Sequence, residues 1–295
     1  MFRTRGGAVC AMDAYCPHLG AHLGYGGTVD DETIRCPFHG FRYDVQGRCT
    51  FIPYGTRRPP KAQVRVLPTH EIQGIILAFY DSGGAAPLWE IPDLDTRGWS
   101  PLLTRAWTFR GHPQETTENS VDVGHLAEVH NYTAVEMLRD LDTDGPHLNV
   151  KYAMTRPGGL LGQPTRAEFE IHARGLGYSL VELEVPQYAI RARLFVLATP
   201  VDGENITLRV ALSLREDTQP RRVHPLLALV PRAIVNAFIA RKTFAGLVAD
   251  VQQDFVIWQH KRYLQPPILA EGDGPIGKYR LWARQFYRGE DQALI

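Results

Sequence analysis

Three observations predict an α+β fold of two units for this chain of 295 residues. Short strand-like runs broken by turns fill roughly the first 80 residues, an apolar alternation runs through "ITLRVALSL", and an apolar stripe at helical spacing follows toward the C-terminus. Together they predict an all-β N-terminal unit, then a helix-grip arrangement: an antiparallel sheet held against one long C-terminal helix, with a pocket between them. The length suits two domains better than one core.

In chain order, "FRT", "VCAM", "FRYDVQGRC", "QVRV" and "GIILAFY" are the strand-like runs, and they set the first domain at residues 1–85. The stretch "DSGGAAPLWEIPDLDTRGWSPL" is rich in Gly, Pro and Asp and lacks periodicity, which places a linker at residues 86–100. The second domain is then 101–295. Within it a short helical pattern is expected over residues 117–130 and β-like segments over 150–214. Ile206, Leu208, Val210, Leu212 and Leu214 alternate as in a sheet with one buried face. A helix is expected over 231–259, because Ala240, Phe244, Leu247, Val251, Phe255 and Trp258 fall three and four apart. Phe244, Leu247 and Val251 are assigned to core rather than pocket wall. His112 and His147 belong to no motif and are expected on the surface or in loops.

The 32 basic and 32 acidic side chains leave no net charge, so nothing points to a nucleic-acid partner. The most apolar run, "PLLALVPRAIVNAFIARKTFAGLV", is broken by Pro231, Arg232, Arg241 and Lys242 and falls short of the ~20 apolar residues that span a bilayer. No transmembrane segment is expected, and without a secretory signal the protein reads as cytoplasmic. Of the four cysteines, Cys10 and Cys49 stand outside any motif and are expected to be small packing residues.

Cys16 and His18 form C-x-H, Cys36 and His39 form C-x-x-H, and the stretch 19–35 separates the two pairs. Two thiolates and two imidazoles suit a tetrahedral zinc or an iron–sulfur cluster, and spacing alone does not choose. Both pairs run into glycine, "CPHLG" and "CPFHG", giving tight loops whose N–H groups can face bridging sulfides.

A second constellation lies in "ENSVDVGHLAEVH", with Asn119, Asp122, His125 and His130. Two histidines plus a carboxylate from elsewhere suit the open-sided ligand set of non-haem Fe(II). Residues five apart on a regular helix are about 140° apart, so a bulge or helix end must separate His125 from His130. Asp122, three residues before His125, can hydrogen-bond its ring. For the third ligand "ADVQQDFVIW" offers Asp250 and Asp254. Asp254 sits about 60° from the stripe's centre and Asp250 about 100°. A carboxylate near an apolar face is costly unless it binds metal or a partner, so Asp254 is preferred and Asp250 is the alternative.

The order of these motifs resembles the oxygenase (alpha) subunit of Rieske non-haem iron oxygenases. "DAYCPHLGAHLG", "QETTENSVDVGHLAEVH", "ATPVD", "QQDFVIW" and "GPIGKYRLWARQFY" look most like the 3-ketosteroid 9α-hydroxylase and cholesterol 7-desaturase branch. The resemblance implies that Cys16 and Cys36 bind the inner iron of a [2Fe–2S] cluster, and His18 and His39 the outer one. Ala21 and Phe38 stand where respiratory Rieske proteins have a disulfide, so the lower-potential kind is implied. His125, His130 and Asp254 are implied to hold Fe(II), with Asn119 and Asp122 in the catalytic machinery. The implied partners are a separate ferredoxin reductase using NAD(P)H and flavin, with or without a ferredoxin, together with O2 and an apolar steroid-like substrate. The implied assembly is a homotrimer in which Asp122 joins His125 to His39 of a neighbouring subunit.

Competing expectations are a Rieske electron carrier, a sterol-binding module without oxygenase activity, and a Rieske oxygenase acting on a non-steroid substrate by demethylation or aromatic oxidation. Little sequence precedes Cys16, and "FRTRGGAVCAM" reads as the middle of a hairpin. The sequence therefore predicts that the first domain is incomplete at its N-terminus and that Met1 is not the natural start.

Overall fold

The computed structural model of the protein describes residues 1–159 and 162–287. The chain divides into two compact units, Met1–Thr96 and Arg97–Ile295.

The first unit is built from nine short strands: β1 (Phe2–Arg3), β2 (Val9–Met12), β3 (Thr28–Asp30), β4 (Thr33–Arg35), β5 (Arg42–Asp44), β6 (Cys49–Phe51), β7 (Val66–Leu67), β8 (Thr69–Ile72) and β9 (Ile75–Ala78). They form a three-stranded sheet β1-β2-β7, a four-stranded meander β3-β4-β5-β6 and the hairpin β8-β9. Period-two patterning sets the core. Tyr43 in β5 is fully buried between the half-exposed Arg42 and Asp44, and it packs with Leu23, Ile34, Phe41 and Cys49. Cys10 and Cys49 are free and buried, packing residues as expected.

The second unit continues with β10 (Leu103–Arg110), α1 (Pro113–Glu118), α2 (His125–Glu128), β11 (Thr133–Asp144), β12 (His147–Arg156), β13 (Thr165–Arg174), β14 (Tyr178–Val185), β15 (Ile190–Pro200) and β16 (Asn205–Leu214). The helices α3 (Pro220–Val223), α4 (Arg232–His260) and α5 (Ile276–Ala283) follow. The seven strands make one antiparallel sheet in the order β10-β16-β15-β14-β13-β12-β11. Helix α4 crosses it, placing Val235, Ile239 and Ala240 in one apolar cluster and Val248, Val251 and Trp258 in another with Ile206, Leu208 and Val210. The Trp258 ring stacks on Phe109 at 6.0 Å between centroids. Removing a buried tryptophan typically costs about 3–5 kcal/mol, so this contact holds helix to sheet.

Three features differ from the sequence expectation. The sheet begins at Thr133 rather than Val150, and β10 joins it beside β16. Both unforeseen strands are edges. Edge strands are kept polar and irregular, and β11 carries exposed charges and register shifts that erase any apolar alternation. The helical pattern over 117–130 is two short helices, because one ends at Glu118 and the next starts at His125. His147 opens β12 instead of lying in a loop, and its ring stacks on His172 at 5.5 Å. His112 is an exposed loop residue whose Nδ1 accepts the Gln114 N–H and caps α1.

Candidate metal centres

Two loops of the same design present the Cys/His pairs. In each, the cysteine N–H donates to a carbonyl five residues on, Ala21 at 2.8 Å and Phe41 at 2.7 Å. In each, the cysteine carbonyl accepts from the glycine four residues on, Gly20 at 2.9 Å and Gly40 at 3.1 Å. Both glycines sit at positive φ, +75° and +70°, which closes the loop where a side chain would be strained. A Cβ on Gly40 would also meet Pro53 at 2.9 Å.

Cys16 and Cys36 are each only 2% exposed. The histidines lie further out, His18 exposed and His39 half-buried, with ring centroids 4.7 Å apart. Tyr43 Oη lies 3.1 Å from Cys16 Sγ. Burial pushes the Cys16 thiol up, while contact with Tyr43 and the His18 N–H acts to lower it. Among the described residues, these four are not a group whose ligand atoms all lie within 4.8 Å of one another. One tetrahedral zinc, with ligands about 2.0–2.3 Å from the metal, needs that closeness; a cage for two irons is wider.

In the second unit, ligand atoms of His125, His130 and Asp254 all lie within 4.8 Å of one another. Helix α2 ends between the histidines, and Asn131 at φ +57° carries the chain into β11. That break brings the rings within 5.1 Å at 77°. Asp254 enters from α4, 6% exposed, with Oδ1 3.5 Å from His130 Nε2. Burial raises its pKa, while the two histidines and, less strongly, the Asn119 side chain act to lower it. His130 Nδ1 faces Gln253 Oε1 at 2.8 Å, which leaves Nε2 directed at Asp254. A buried carboxylate beside two imidazoles, with no described Lys or Arg paired to it, fits a divalent cation by its donor chemistry.

The Asp122 contact is not the one expected. The His125 ring Nδ1 lies 2.6 Å from the main-chain carbonyl of Asp122, while the carboxylate accepts the His125 N–H at 3.2 Å and stands 3.6 Å from the ring. Burial would lower the His125 pKa, but Asp122 and Asp254 outweigh it and raise it. Asp250 is engaged elsewhere, accepting from Tyr132 Oη and from Arg156 Nη2, each at 2.9 Å. Gly246 makes room for that arginine, since a Cβ there would meet Arg156 Nη1 at 2.6 Å.

Tyr132 also joins the centre to a cavity. Its ring lies 6.1 Å from that of His130 and forms part of the wall of a cavity of ≈ 330 Å³. Apolar residues such as Phe169, Leu183, Ile190 and Leu194 line the sheet side, and Leu247 lines the helix side. Leu247 is thus both core and wall, whereas Phe244 and Val251 stay in the core. The volume lies at the small-ligand end of the usual range of roughly 300–1,000 Å³.

Sequence reasoning missed two supports of this centre. Gln253, next to Asp254, carries no signal apart from that adjacency. Glu118, next to Asn119, binds Arg280 through both carboxylate oxygens at 2.6 and 2.9 Å, deep in the unit, and so ties α1 to α5.

Comparison with known proteins agrees in both units. Residues 1–70 match the Rieske [2Fe-2S] domain, and residues 78–287 match the 3-Ketosteroid 9alpha-hydroxylase C-terminal domain. A probable 3-ketosteroid-9-alpha-monooxygenase, oxygenase component, of Rhodococcus rhodochrous is 28% identical over 97% of this chain and 72% of its own length. Cholesterol 7-desaturases of Xenopus laevis and Bombyx mori are 27% and 30% identical over 97% of this chain, which spans 65% and 63% of their lengths. Dicamba monooxygenase bound to 3,6 dichlorosalicylic acid has the same fold, with a TM-score of 0.67 at 19% identity over 99% of this chain and 89% of that one. A caffeine complex of NdmA from Pseudomonas putida CBB5 gives 0.67 at 19% identity, over 93% and 78%.

Proposed function

The chain belongs to the family defined by the 3-ketosteroid 9α-hydroxylase C-terminal domain, here joined to a Rieske [2Fe–2S] domain, and from that premise we propose that it is an oxygenase component that hydroxylates or desaturates a bulky steroid or sterol. One observation carries the reading: His125, His130 and Asp254 converge beside an apolar cavity.

In this reading Cys16 and Cys36 hold the inner iron of the cluster, His18 and His39 the outer iron, and the His125/His130/Asp254 group holds Fe(II). When bound, the cluster supplies single electrons and the Fe(II) supplies an open-sided centre for dioxygen. The chain's own residues set the conditions. Asn119 orients the Asp254 carboxylate, and Gln253 fixes the His130 tautomer. Apolar walls exclude water from the substrate and bind its carbon skeleton. The Asp250–Arg156 pair gives the cavity a polar end for an oxygen function of the substrate.

Electrons reach the chain from a separate NAD(P)H- and flavin-dependent reductase. The working form is a homotrimer in which Asp122, with 31% of its side chain exposed, joins His125 to His39 of a neighbouring subunit. The two cysteines outside the cradle, Cys10 and Cys49, carry no disulfide, which supports a reducing, cytoplasmic setting. No described helix is long and apolar enough to cross a membrane.

Incubation of the loaded protein with a surrogate reductase and a panel of steroids and sterols, read by mass spectrometry, tests the proposal. A product gaining one oxygen or losing two hydrogens is expected. Reductant consumption with every steroid recovered unchanged contradicts it.

A further inference from the structure

The chain as a whole is electrically balanced, yet the stretch 220–249 contains five cations, Arg221, Arg222, Arg232, Arg241 and Lys242, and no carboxylate. Among the described residues none of these five side chains has an ion-pair or hydrogen-bond partner. The same stretch leaves large apolar side chains in solvent: Leu226 is 69% exposed, Leu229 86%, Ile234 59% and Phe238 47%.

Several of these features are neighbours along the chain and around one crevice. Leu226 and Leu229 sit on a 3₁₀ turn at Pro225–Leu229, immediately before α4. On α4 itself Ile234, Phe238 and Arg241 fall within about 60° of one another, while Val235 and Ile239 face the core. Between the turn and α3 lies a crevice of ≈ 380 Å³ lined by Gln219, Pro220, Arg221, Ala228, Val230 and Arg232. Two guanidinium groups and an amide thus border a recess large enough for a phosphate group, with exposed leucines beside it. Guanidinium forks match phosphate oxygens in a bidentate way.

We infer that this face, the crevice together with Leu226, Leu229, Ile234 and Phe238, is a docking surface for a bilayer leaflet bearing anionic phospholipid. Charge complementarity and shape choose this occupant. Cations beside exposed apolar groups are what an interfacial element presents: the apolar side chains enter the acyl boundary and the basic ones meet the headgroups. An exposed apolar patch marks a contact surface, and one whose own stretch, 220–249, carries five cations and no carboxylate favours a polyanionic surface over a mixed-charge protein. Docking has a consequence for access, which rests on the steroid reading although docking itself does not. Lys242, Thr243, Gly246 and Leu247, in the next turns of α4, wall the apolar cavity, so a substrate dissolved in the bilayer would arrive at the element that borders its binding site.

Sedimentation of the full chain with phosphatidylcholine vesicles, with and without phosphatidylglycerol, tests this, alongside sedimentation velocity of the protein alone. Binding is expected with phosphatidylglycerol only, weakening as salt rises. Arg221→Gln combined with Arg232→Gln should weaken it about thirty-fold, from about 1 kcal/mol for each cation near the headgroups. Leu226→Ser combined with Leu229→Ser should weaken it while leaving the salt dependence in place, and circular dichroism should show both variants folded. The inference is overturned if the wild-type chain ignores phosphatidylglycerol vesicles or if either folded variant binds as the wild type does. It is equally overturned if inorganic phosphate at millimolar concentration displaces the vesicles, which makes the crevice a small-anion site. Self-association abolished by the leucine changes, without vesicle binding, would assign the face to a second copy of the chain.

Discussion

The Cys/His cradle lies within one short run from Cys16 to His39, whereas the His/His/Asp group draws on a far longer one, from His125 to Asp254. The first is made by two copies of one loop, and each loop closes on its own main chain. The second exists only after α2 has ended, β11 has turned away and α4 has crossed the sheet. A site made of local turns needs a few hydrogen bonds to be in place; a site made of distant elements needs the whole unit packed. The difference predicts that the two centres can be lost independently and that packing defects reach the second one first.

The largest effects should come from removing a ligand on either side of this comparison. Asp254→Ala is expected to abolish turnover and release the mononuclear iron while the cluster's visible absorbance stays, and Cys36→Ser is expected to abolish turnover as well, losing the absorbance while the mononuclear iron stays, as read by iron analysis and absorbance. Asp250→Asn should keep both centres, because Asp250 bonds Tyr132 and Arg156 rather than the histidines. Loss of iron in that variant would reassign the third ligand.

Next in size is Glu118→Gln. It leaves Arg280 buried without its carboxylate, which should cost about 3–5 kcal/mol and lower Tm by roughly 10 °C. Iron retention at the His/His/Asp group should fall before the cluster is affected. Gln253→Leu removes the partner of His130 Nδ1 and should weaken iron binding by about 10–100-fold, measured by chelator competition. The smallest effect is expected at the cradle. Tyr43→Phe removes the hydroxyl 3.1 Å from Cys16 Sγ, and a hydrogen bond to a cluster sulfur favours the reduced, more negative state. At about 1 kcal/mol the reduction potential should drop by about 40 mV, measured by voltammetry.

The same contrast explains what the sequence could and could not reveal. Cys16, His18, Cys36 and His39 are legible because ligand spacing and the following glycines lie in one short run. The buried face of β16 and the stripe of α4 are legible because periodicity records a surface that must be apolar. Edge strands β10 and β11 are not, since their residues answer to solvent. The angle on the helix favours Asp254 over Asp250, but the reason Asp250 is free to do something else, Arg156 reaching across Gly246, is a contact between elements far apart in sequence. The Asp122 contact shows the limit of spacing rules: the i to i+3 proximity holds, yet the ring meets the main-chain carbonyl instead of the carboxylate. Spacing fixes neighbourhood, and local backbone geometry chooses the atom.

The most direct test of two separate metal centres is iron quantitation on the loaded chain, together with electron paramagnetic resonance after anaerobic reduction. About three irons per chain are expected, two in a Rieske-type signal and one outside it. Two irons per chain, with no loss on replacing Asp254, would contradict the second centre, and zinc in place of iron would contradict the first.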